Sequence, residues 1–101
     1  MKPSALFVNT SRGPLVVEQD LIKILRAGRI RGAGLDVFNL EPLPLDSEWR
    51  SLEWGRNGRS RVVLTPHMGY VDEETMNNWC AEVVENIELW SAGKEVNNPL
   101  Y

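Results

Sequence analysis

The sequence predicts an α/β fold with a small parallel sheet, in the order β-α-β-loop-β-α. Three short apolar runs, at residues 5–9, 32–38 and 61–64, are typical of strands buried on both faces. Residues 17–27 and 72–92 carry apolar side chains at helical spacing. Strands of this kind that alternate with helices favour a parallel sheet, in which the first helix is the crossover between two strands. The length of 101 residues accommodates about half of a doubly wound domain, which needs two βαβαβ units.

The predicted first helix, residues 17–27, places Leu21 and Ile24 on one apolar face. Acidic residues in the first turn favour this start, although Val17 offers no side-chain oxygen to cap it. Gly28 suits the end, because glycine readily adopts the left-handed backbone conformation that often terminates a helix. Basic residues near this end suit the helix macrodipole better than they suit phosphate binding. These residues are Lys23, Arg26, Arg29 and Arg31.

A long connection, residues 39–61, separates the second and third strands and contains the Pro and Gly residues typical of loops. We expect a short helical turn at residues 46–52, and we expect the carboxylates of Glu48 and Glu53 to be solvated. The final helix, residues 72–92, has acidic residues at its start and Gly93 at its end. Its apolar stripe consists of Met76, Trp79, Val83, Ile87 and Trp90. Residues 97–101 form a predicted polar tail.

Composition argues against several classes of protein. There are 11 Lys and Arg residues against 14 Asp and Glu, which gives a formal charge of −3 and argues against a nucleic-acid-binding protein. No apolar run approaches the roughly 20 residues of a membrane span, so no membrane association is expected. Cys80 is the only cysteine, which excludes an internal disulfide and fits a reducing compartment; we therefore expect a cytoplasmic location. Cys80 and His67 are too isolated in the sequence to predict a metal site.

Four residues with distinct chemistry lie at or just after the predicted strand ends: Arg12, Asp36, Glu41 and His67. Ligands of open parallel sheets bind outside the carboxyl ends of the strands, so these side chains are expected to converge. Arginine binds a carboxylate with its planar fork, histidine transfers a proton near neutral pH, and a carboxylate orients the imidazole. Each residue alone is more often structural than catalytic, but together they suit the reduction of a 2-oxo acid. The Gly32-x-Gly34 pair lacks the third glycine of a dinucleotide-binding loop and opens a strand.

The residues at these strand ends closely resemble those of the D-isomer-specific 2-hydroxyacid dehydrogenase family. The segments that carry the resemblance are Met1-Lys2-Pro3, Asn9-Thr10-Ser11-Arg12-Gly13, Gly34-Leu35-Asp36-Val37-Phe38, Glu41-Pro42-Leu43-Pro44 and Thr65-Pro66-His67-Met68-Gly69. They occur in the order of the family and cover most of the chain. The resemblance implies that Arg12 binds the substrate carboxylate, that His67 is the acid/base, and that Glu41 pairs with His67. The implied substrate is a small 2-oxo or 2-hydroxy acid.

The same resemblance implies NAD or NADP as the cofactor. Asp36 corresponds to the aspartate that contacts the nicotinamide carboxamide, and Thr10, Ser11 and Gly69 correspond to further contacts on the nicotinamide side. The phosphate-binding loop and the residue that reads the ribose lie upstream in relatives. This chain is therefore expected to contact only the nicotinamide end, and the choice between NAD and NADP stays open.

Residues 1–101 are thus expected to be a partial NAD(P)-binding domain, with half of a Rossmann-like doubly wound sheet. The first half of that domain and the substrate domain lie upstream in relatives, so we expect a truncated chain that is inactive alone. Its first strand would lie at an open sheet edge, which invites association. The alternative function is a non-catalytic remnant that acts as a dimerisation module. The resemblance implies a homodimer in either case.

Overall fold

Three short parallel strands form one sheet in the computed structural model, which describes residues 1–99. The strands are β1 (Leu6–Asn9), β2 (Gly32–Leu35) and β3 (Arg61–Leu64), and they lie in the order β1-β2-β3. Gly32 pairs with Leu6 on one side and with Arg61 on the other. The predicted α/β class with a parallel sheet is therefore confirmed. Within the described residues, β1 lies at one edge of the sheet, as predicted.

The crossover helix α1 (Glu18–Arg26) supplies the apolar face that covers the sheet. Leu21, Ile22 and Leu25 are buried, and Leu25 is fully inaccessible to solvent. Val17 precedes the helix without a side-chain cap, as predicted, and Gly28 follows it with a φ of 61°. The buried core cluster consists of Leu21, Ile22, Leu25, Ile30, Ala33, Leu35, Phe38 and Trp49.

The strands were expected to be buried on both faces, and β1 and β3 are not. Leu6, Val8 and Val63 are about two-thirds exposed, whereas Phe7, Val62 and Leu64 pack against the core. Successive side chains of a strand point to opposite faces, so one helix layer covers alternate residues only. The crossover helix α1 lies on one of those faces.

The second strand ends at Leu35, earlier than the predicted Phe38. The Asp36 N–H still donates to the Asn9 carbonyl at 3.0 Å. The Phe38 N–H instead donates to Glu41 Oε1 at 2.8 Å, so the hydrogen bonding to β1 does not continue to Phe38. Val37 and Phe38 are nevertheless buried, which explains why their apolar pattern resembles a strand. Asp36 consequently lies just beyond β2, in the loop that follows it.

The connection between β2 and β3 contains a short 3₁₀ helix, Glu48–Arg50, within the predicted helical turn. Trp49 in this helix is buried, and its ring centroid lies 6.4 Å from that of Phe38 and 5.9 Å from that of Trp54. The expectation that Glu48 is solvated was wrong, because its carboxylate forms an ion pair with Arg26 on α1. Glu53 also has a partner, since its Oε2 accepts from Asn57 Nδ2 at 2.7 Å.

Residues 1–69 and the segment that begins at Tyr70 form two compact units. The second unit contains α2 (Glu73–Ser91), close to its predicted bounds. Asp72 caps the helix by accepting from the Thr75 N–H at 2.9 Å and from Thr75 Oγ1 at 2.7 Å. Gly93 follows the helix with a φ of 66°. No helix among residues 1–99 is long and apolar enough to cross a membrane, and Leu100 and Tyr101 of the predicted tail lie outside the described residues.

Candidate active site

Three loops meet at the carboxyl edge of the sheet in the first unit. The loop after β1 approaches the loop after β2 so closely that a Cβ added at Gly13 would lie 2.1 Å from the backbone carbonyl carbon of Phe38. The loop after β2 contacts the loop after β3, because Asp36 accepts hydrogen bonds from Met68 and Gly69. The carboxyl ends of parallel strands share one edge, so residues far apart in sequence lie together here.

The central contact of this edge joins Glu41 to His67. Glu41 Oε2 lies 2.7 Å from His67 Nδ1, while Glu41 Oε1 accepts from the Phe38 N–H. About a third of each side chain is exposed, so both remain accessible from solvent. The hydrogen bond from His67, followed by that from the Phe38 N–H, holds the pKa of Glu41 below its ordinary value. A charged Glu41 fixes the orientation of the imidazole ring and favours a proton on Nδ1.

The backbone of His67 lies in the left-handed region, with a φ of 56°. Such a conformation costs free energy in a residue other than glycine and persists where its surroundings hold it. Asp36 provides that support, because its Oδ1 accepts from the Met68 N–H at 3.0 Å and its Oδ2 accepts from the Gly69 N–H at 2.9 Å. Asp36 thus anchors the two residues that follow the histidine.

Asp36 itself is buried, and three groups donate hydrogen bonds to its carboxylate. The hydroxyl of Thr65 is the strongest influence, followed by the Gly69 N–H, and together they hold the pKa of Asp36 below its ordinary value. Thr65 was not predicted as a site residue. Thr65 belongs to a segment that carries the family resemblance, but its hydroxyl was assigned no role, because an acceptor for it could not be identified from sequence.

Arg12 lies on the exposed loop after β1. Its Nη1 donates to the carbonyl of Ser11 at 2.7 Å, and its positive charge contributes to the lowered pKa of Glu41. Asn9, which was not predicted, shapes this loop. The Asn9 Nδ2 donates to the Arg12 carbonyl at 2.9 Å, and Asn9 Oδ1 accepts from the Ser11 N–H at 3.1 Å. An asparagine directly after an apolar run is typical of such side-chain turns, and this was the available signal.

The residues predicted to contact a nicotinamide cofactor occupy this same edge. Thr10 and Ser11 are exposed, and Asp36 and Gly69 are joined by a hydrogen bond. A Cβ at Gly69 would lie 3.1 Å from Asp36 Oδ2, so glycine keeps this strip of backbone clear beside the carboxylate. These features fit the polar carboxamide end of a nicotinamide. Among residues 1–99, no group of three or more His, Cys, Asp or Glu side chains is arranged to hold a metal ion.

A cavity of about 610 Å³ opens beside the Glu41–His67 pair. The surface that lines it is mostly apolar, and Arg50 and His67 are the basic residues that contribute to this lining. Sequence reasoning did not select Arg50, because it lies in the long connection and not at a strand end. The lining residues are Phe38, Glu41, Pro42, Leu43, Arg50, Leu64, Thr65, Pro66 and His67.

Comparison with known proteins places this edge in a family context. Residues 1–69 match the family model described as D-isomer specific 2-hydroxyacid dehydrogenase, NAD binding domain. A relative from Citrobacter koseri, glyoxylate/hydroxypyruvate reductase B, is 47% identical over 98 residues. That match covers 97% of this chain and 28% of the relative, so the chain spans little more than a quarter of the relative's length.

Solved structures agree with the sequence match. A D-isomer specific 2-hydroxyacid dehydrogenase from Polaromonas superposes over 100% of this chain and 29% of its own, with a TM-score of 0.81 and 32% identity. A second, from Xanthobacter autotrophicus in complex with NADPH and MES, covers 100% of this chain and 38% of its own, with a TM-score of 0.68 and 36% identity. The family match spans all three loops of the carboxyl edge. The chain therefore belongs to the D-isomer specific 2-hydroxyacid dehydrogenase family, within the NAD-binding domain of that family.

Proposed function

We propose that this chain supplies the catalytic half of the NAD(P)-binding domain of an oxidoreductase that interconverts a 2-oxo acid and a D-2-hydroxy acid. The observation that carries the proposal is the 2.7 Å contact between Glu41 and His67. Arg12 lies in the neighbouring loop, whose Gly13 approaches the Phe38 backbone closely. A carboxylate, an imidazole and a guanidinium at one sheet edge are the groups that proton transfer to a bound oxo acid requires.

The nicotinamide cofactor, when bound, supplies the hydride that adds to C2 of the oxo acid. Arg12 binds the substrate carboxylate through its planar fork and thereby fixes the carbonyl group. His67 donates a proton from Nε2 to the carbonyl oxygen, which becomes the hydroxyl of the product. In the oxidation direction the same nitrogen accepts the proton.

Glu41 keeps its charge through the hydrogen bond from His67, so it stabilises the imidazolium before proton transfer and orients the ring throughout. Asp36 and the backbone strip at Gly69 would hold the nicotinamide, with Thr10 and Ser11 as further contacts. The NAD-binding family description and the NADPH complex of the Xanthobacter relative support NAD or NADP as cofactor.

A chimeric enzyme tests the proposal directly. The aligned 98 residues of the Citrobacter reductase would be replaced by the corresponding residues of this chain, and NADPH oxidation would be followed with glyoxylate as substrate. We expect measurable turnover, and we expect His67→Asn to lower kcat by about 10²- to 10⁴-fold, because the proton donor is lost.

Thr75→Ser in the same chimera is a matched control, since the change lies on α2 and keeps the hydroxyl that bonds Asp72. A folded chimera that binds NADPH but whose turnover is indifferent to His67→Asn would contradict the proposed role. The isolated chain should show no turnover with NADH or NADPH, because it corresponds to only 28% of the Citrobacter relative. Turnover by the purified chain that disappears in His67→Asn would overturn this last point.

Association is a second candidate function, and the exposed sheet face favours it. Leu6, Val8 and Val63 present apolar surface that another protein layer would bury. We propose a homodimer, and light scattering of the purified chain should give twice the monomer mass. A Val8→Lys, Val63→Lys variant that stays folded should be monomeric, and an unchanged mass would contradict the use of this face in dimerisation.

The exposed free thiol of Cys80 supports a reducing compartment, the cytoplasm, as the location of the protein.

A further inference from the structure

We propose that Arg50 is a second anion-binding residue of the candidate active site, so that the site takes a 2-oxo dicarboxylic acid. The inference rests on the proposed function, because it assigns the first carboxylate to Arg12. Its basis is the position of Arg50 in the wall of the cavity that also contains Glu41 and His67. A guanidinium in such a wall recognises a carboxylate through paired hydrogen bonds.

The guanidinium of Arg50 is held in place by neutral groups. Its Nε donates to the carbonyl of Pro44 at 2.8 Å, and its Nη2 donates to the carbonyl of Leu43 at 2.7 Å. These two bonds fix the plane of the group but leave its positive charge uncompensated. No carboxylate in residues 1–99 lies within ion-pair distance of Arg50, and Nη1 makes no hydrogen bond there. A preorganised guanidinium of this kind loses little freedom when it binds an anion.

Arg26 provides the contrast. It is also an exposed arginine, and it contacts the 3₁₀ helix that contains Arg50, but its guanidinium is neutralised by Glu48. Arg26 lies outside the cavity, whereas Arg50 lines it. The carboxylate that would neutralise Arg50 is therefore expected to come from a ligand in the cavity.

The cavity also has the dimensions for a longer acid. About 610 Å³ corresponds to roughly twenty water molecules, far more than a two-carbon acid occupies. Phe38, Leu43, Leu64 and Pro66 give it apolar walls that suit a methylene chain. The expected ligand thus has a 2-oxo acid group near His67, methylene groups against these walls, and a carboxylate at Arg50.

Two five-carbon acids test the inference on the full 101-residue chain. 2-Oxoglutarate carries the second carboxylate, and 2-oxopentanoate has a methyl group in its place. His67 is the only histidine, so its ring signals in an NMR titration report on the candidate site without ambiguity. We expect 2-oxoglutarate to bind about fivefold more tightly, a modest factor because Arg50 is exposed.

Arg50→Gln keeps a donor for the neighbouring carbonyls but removes the charge. The preference for the dicarboxylic acid should disappear in this variant, while the affinity for 2-oxopentanoate should stay within about twofold. Arg26→Gln is the matched control and should keep the preference. A purely structural role for Arg50 would change the affinity for both acids together, which separates the two explanations.

The outcomes distinguish the two proposals. Equal binding of both acids to the unmodified chain, or a preference that survives Arg50→Gln, would overturn the role of Arg50 and leave the proposed function standing. No response of the His67 signals to either acid would overturn this inference together with oxo-acid binding at the site. If Arg50→Gln does not fold, Arg50→Lys replaces it, because lysine keeps the positive charge but lacks the planar guanidinium. Loss of the preference for 2-oxoglutarate in folded Arg50→Lys would show that recognition of the second carboxylate needs the planar fork of Arg50.

Discussion

The two ends of the sheet differ in how their charged groups are used. At the carboxyl end, Asp36 and Glu41 accept hydrogen bonds from backbone amides, from a hydroxyl and from His67. At the amino end, the chain segments around β2 and β3 bring arginines together, since the Arg61 N–H donates to the Arg31 carbonyl at 3.3 Å. These side chains are largely exposed, and no ion pair is described for them within residues 1–99. The residues of this arginine cluster are Arg29, Arg31, Arg56, Arg59 and Arg61.

Charged residues therefore indicate a site in this molecule where the fold gives them specific hydrogen-bond partners. The carboxylates of one end determine where loops lie, because Glu41 binds a backbone amide of its own loop and Asp36 binds two backbone amides of the loop after β3. The arginines of the other end lie in the segments that precede β2 and β3 and at the start of β3, and backbone hydrogen bonds join these segments. Substitutions at the carboxyl end should therefore affect catalysis, and those at the amino end should affect solvation.

Apart from the loss of His67, loss of the proposed substrate anchor, Arg12, should reduce activity more than any other change at either end of the sheet. In the chimeric enzyme, Arg12→Gln should lower kcat/KM for glyoxylate by about a hundredfold, because a charge-assisted interaction with the substrate carboxylate is removed. Arg61→Gln, which removes the same charge at the amino end, should change kcat/KM by less than about twofold. Equal losses from the two variants would mean that general positive charge, and not the position of Arg12, binds the acid.

A pair of glycines compares the backbone at the two ends. Gly13→Ala would place a Cβ 2.1 Å from the Phe38 backbone, and Gly28→Ala would place one 2.2 Å from the Gly58 carbonyl oxygen. Each should lower the free energy of unfolding by about 2 kcal/mol, since neither backbone contact can relax easily. Only Gly13→Ala should also raise KM for glyoxylate in the chimera, because it displaces the loop that carries Arg12. Thermal unfolding and steady-state kinetics separate the two effects.

Acid should destabilise the first unit through its carboxyl end. Hydrogen bonds depress the pKa of Glu41 and Asp36 in the folded chain, below their ordinary values of 4.5 and 3.8. A depressed pKa contributes stability above the unfolded value, and this contribution is lost as pH falls through the folded value. We expect unfolding free energy to fall as the pH drops below about 4.5, and less steeply in Glu41→Gln.

Denaturant titrations at several pH values, followed by circular dichroism, measure this slope. Asp46→Asn is the control, because Asp46 is exposed and no hydrogen bond to its carboxylate is described in residues 1–99. A slope that Glu41→Gln leaves unchanged and Asp46→Asn flattens would contradict the assignment to the carboxyl end.

The smallest effect is expected from the arginine cluster. Arg29→Gln with Arg56→Gln should change the free energy of unfolding by less than about 0.5 kcal/mol, since both side chains are exposed. The same denaturant titration measures it at low and high salt. A loss above about 1 kcal/mol would indicate that this end also holds specific contacts.

The sequence predicted the helices, the strands and the residue types of the site because the signals for them are local. Helix periodicity, Gly28, Asp72 and Gly93 are local signals, and the structure confirms the helices they delimit. The shared carboxyl edge of parallel strands predicted that Glu41 and His67 would converge, and the family resemblance implied that they pair, as they do. The roles of Asn9, Thr65 and Arg50 were not foreseen, because each depends on which backbone group lies opposite the side chain.

The order of strands and helices, the family, and the set of polar residues at the strand ends can all be predicted from the amino-acid sequence. These follow from periodicity and from motifs that occupy a few consecutive residues. Three outcomes required the folded chain: β2 stops at Leu35, Glu48 neutralises Arg26, and Arg50 shares a cavity with His67. Each depends on which polar groups and side chains the folded chain brings together, and short stretches of sequence do not encode this.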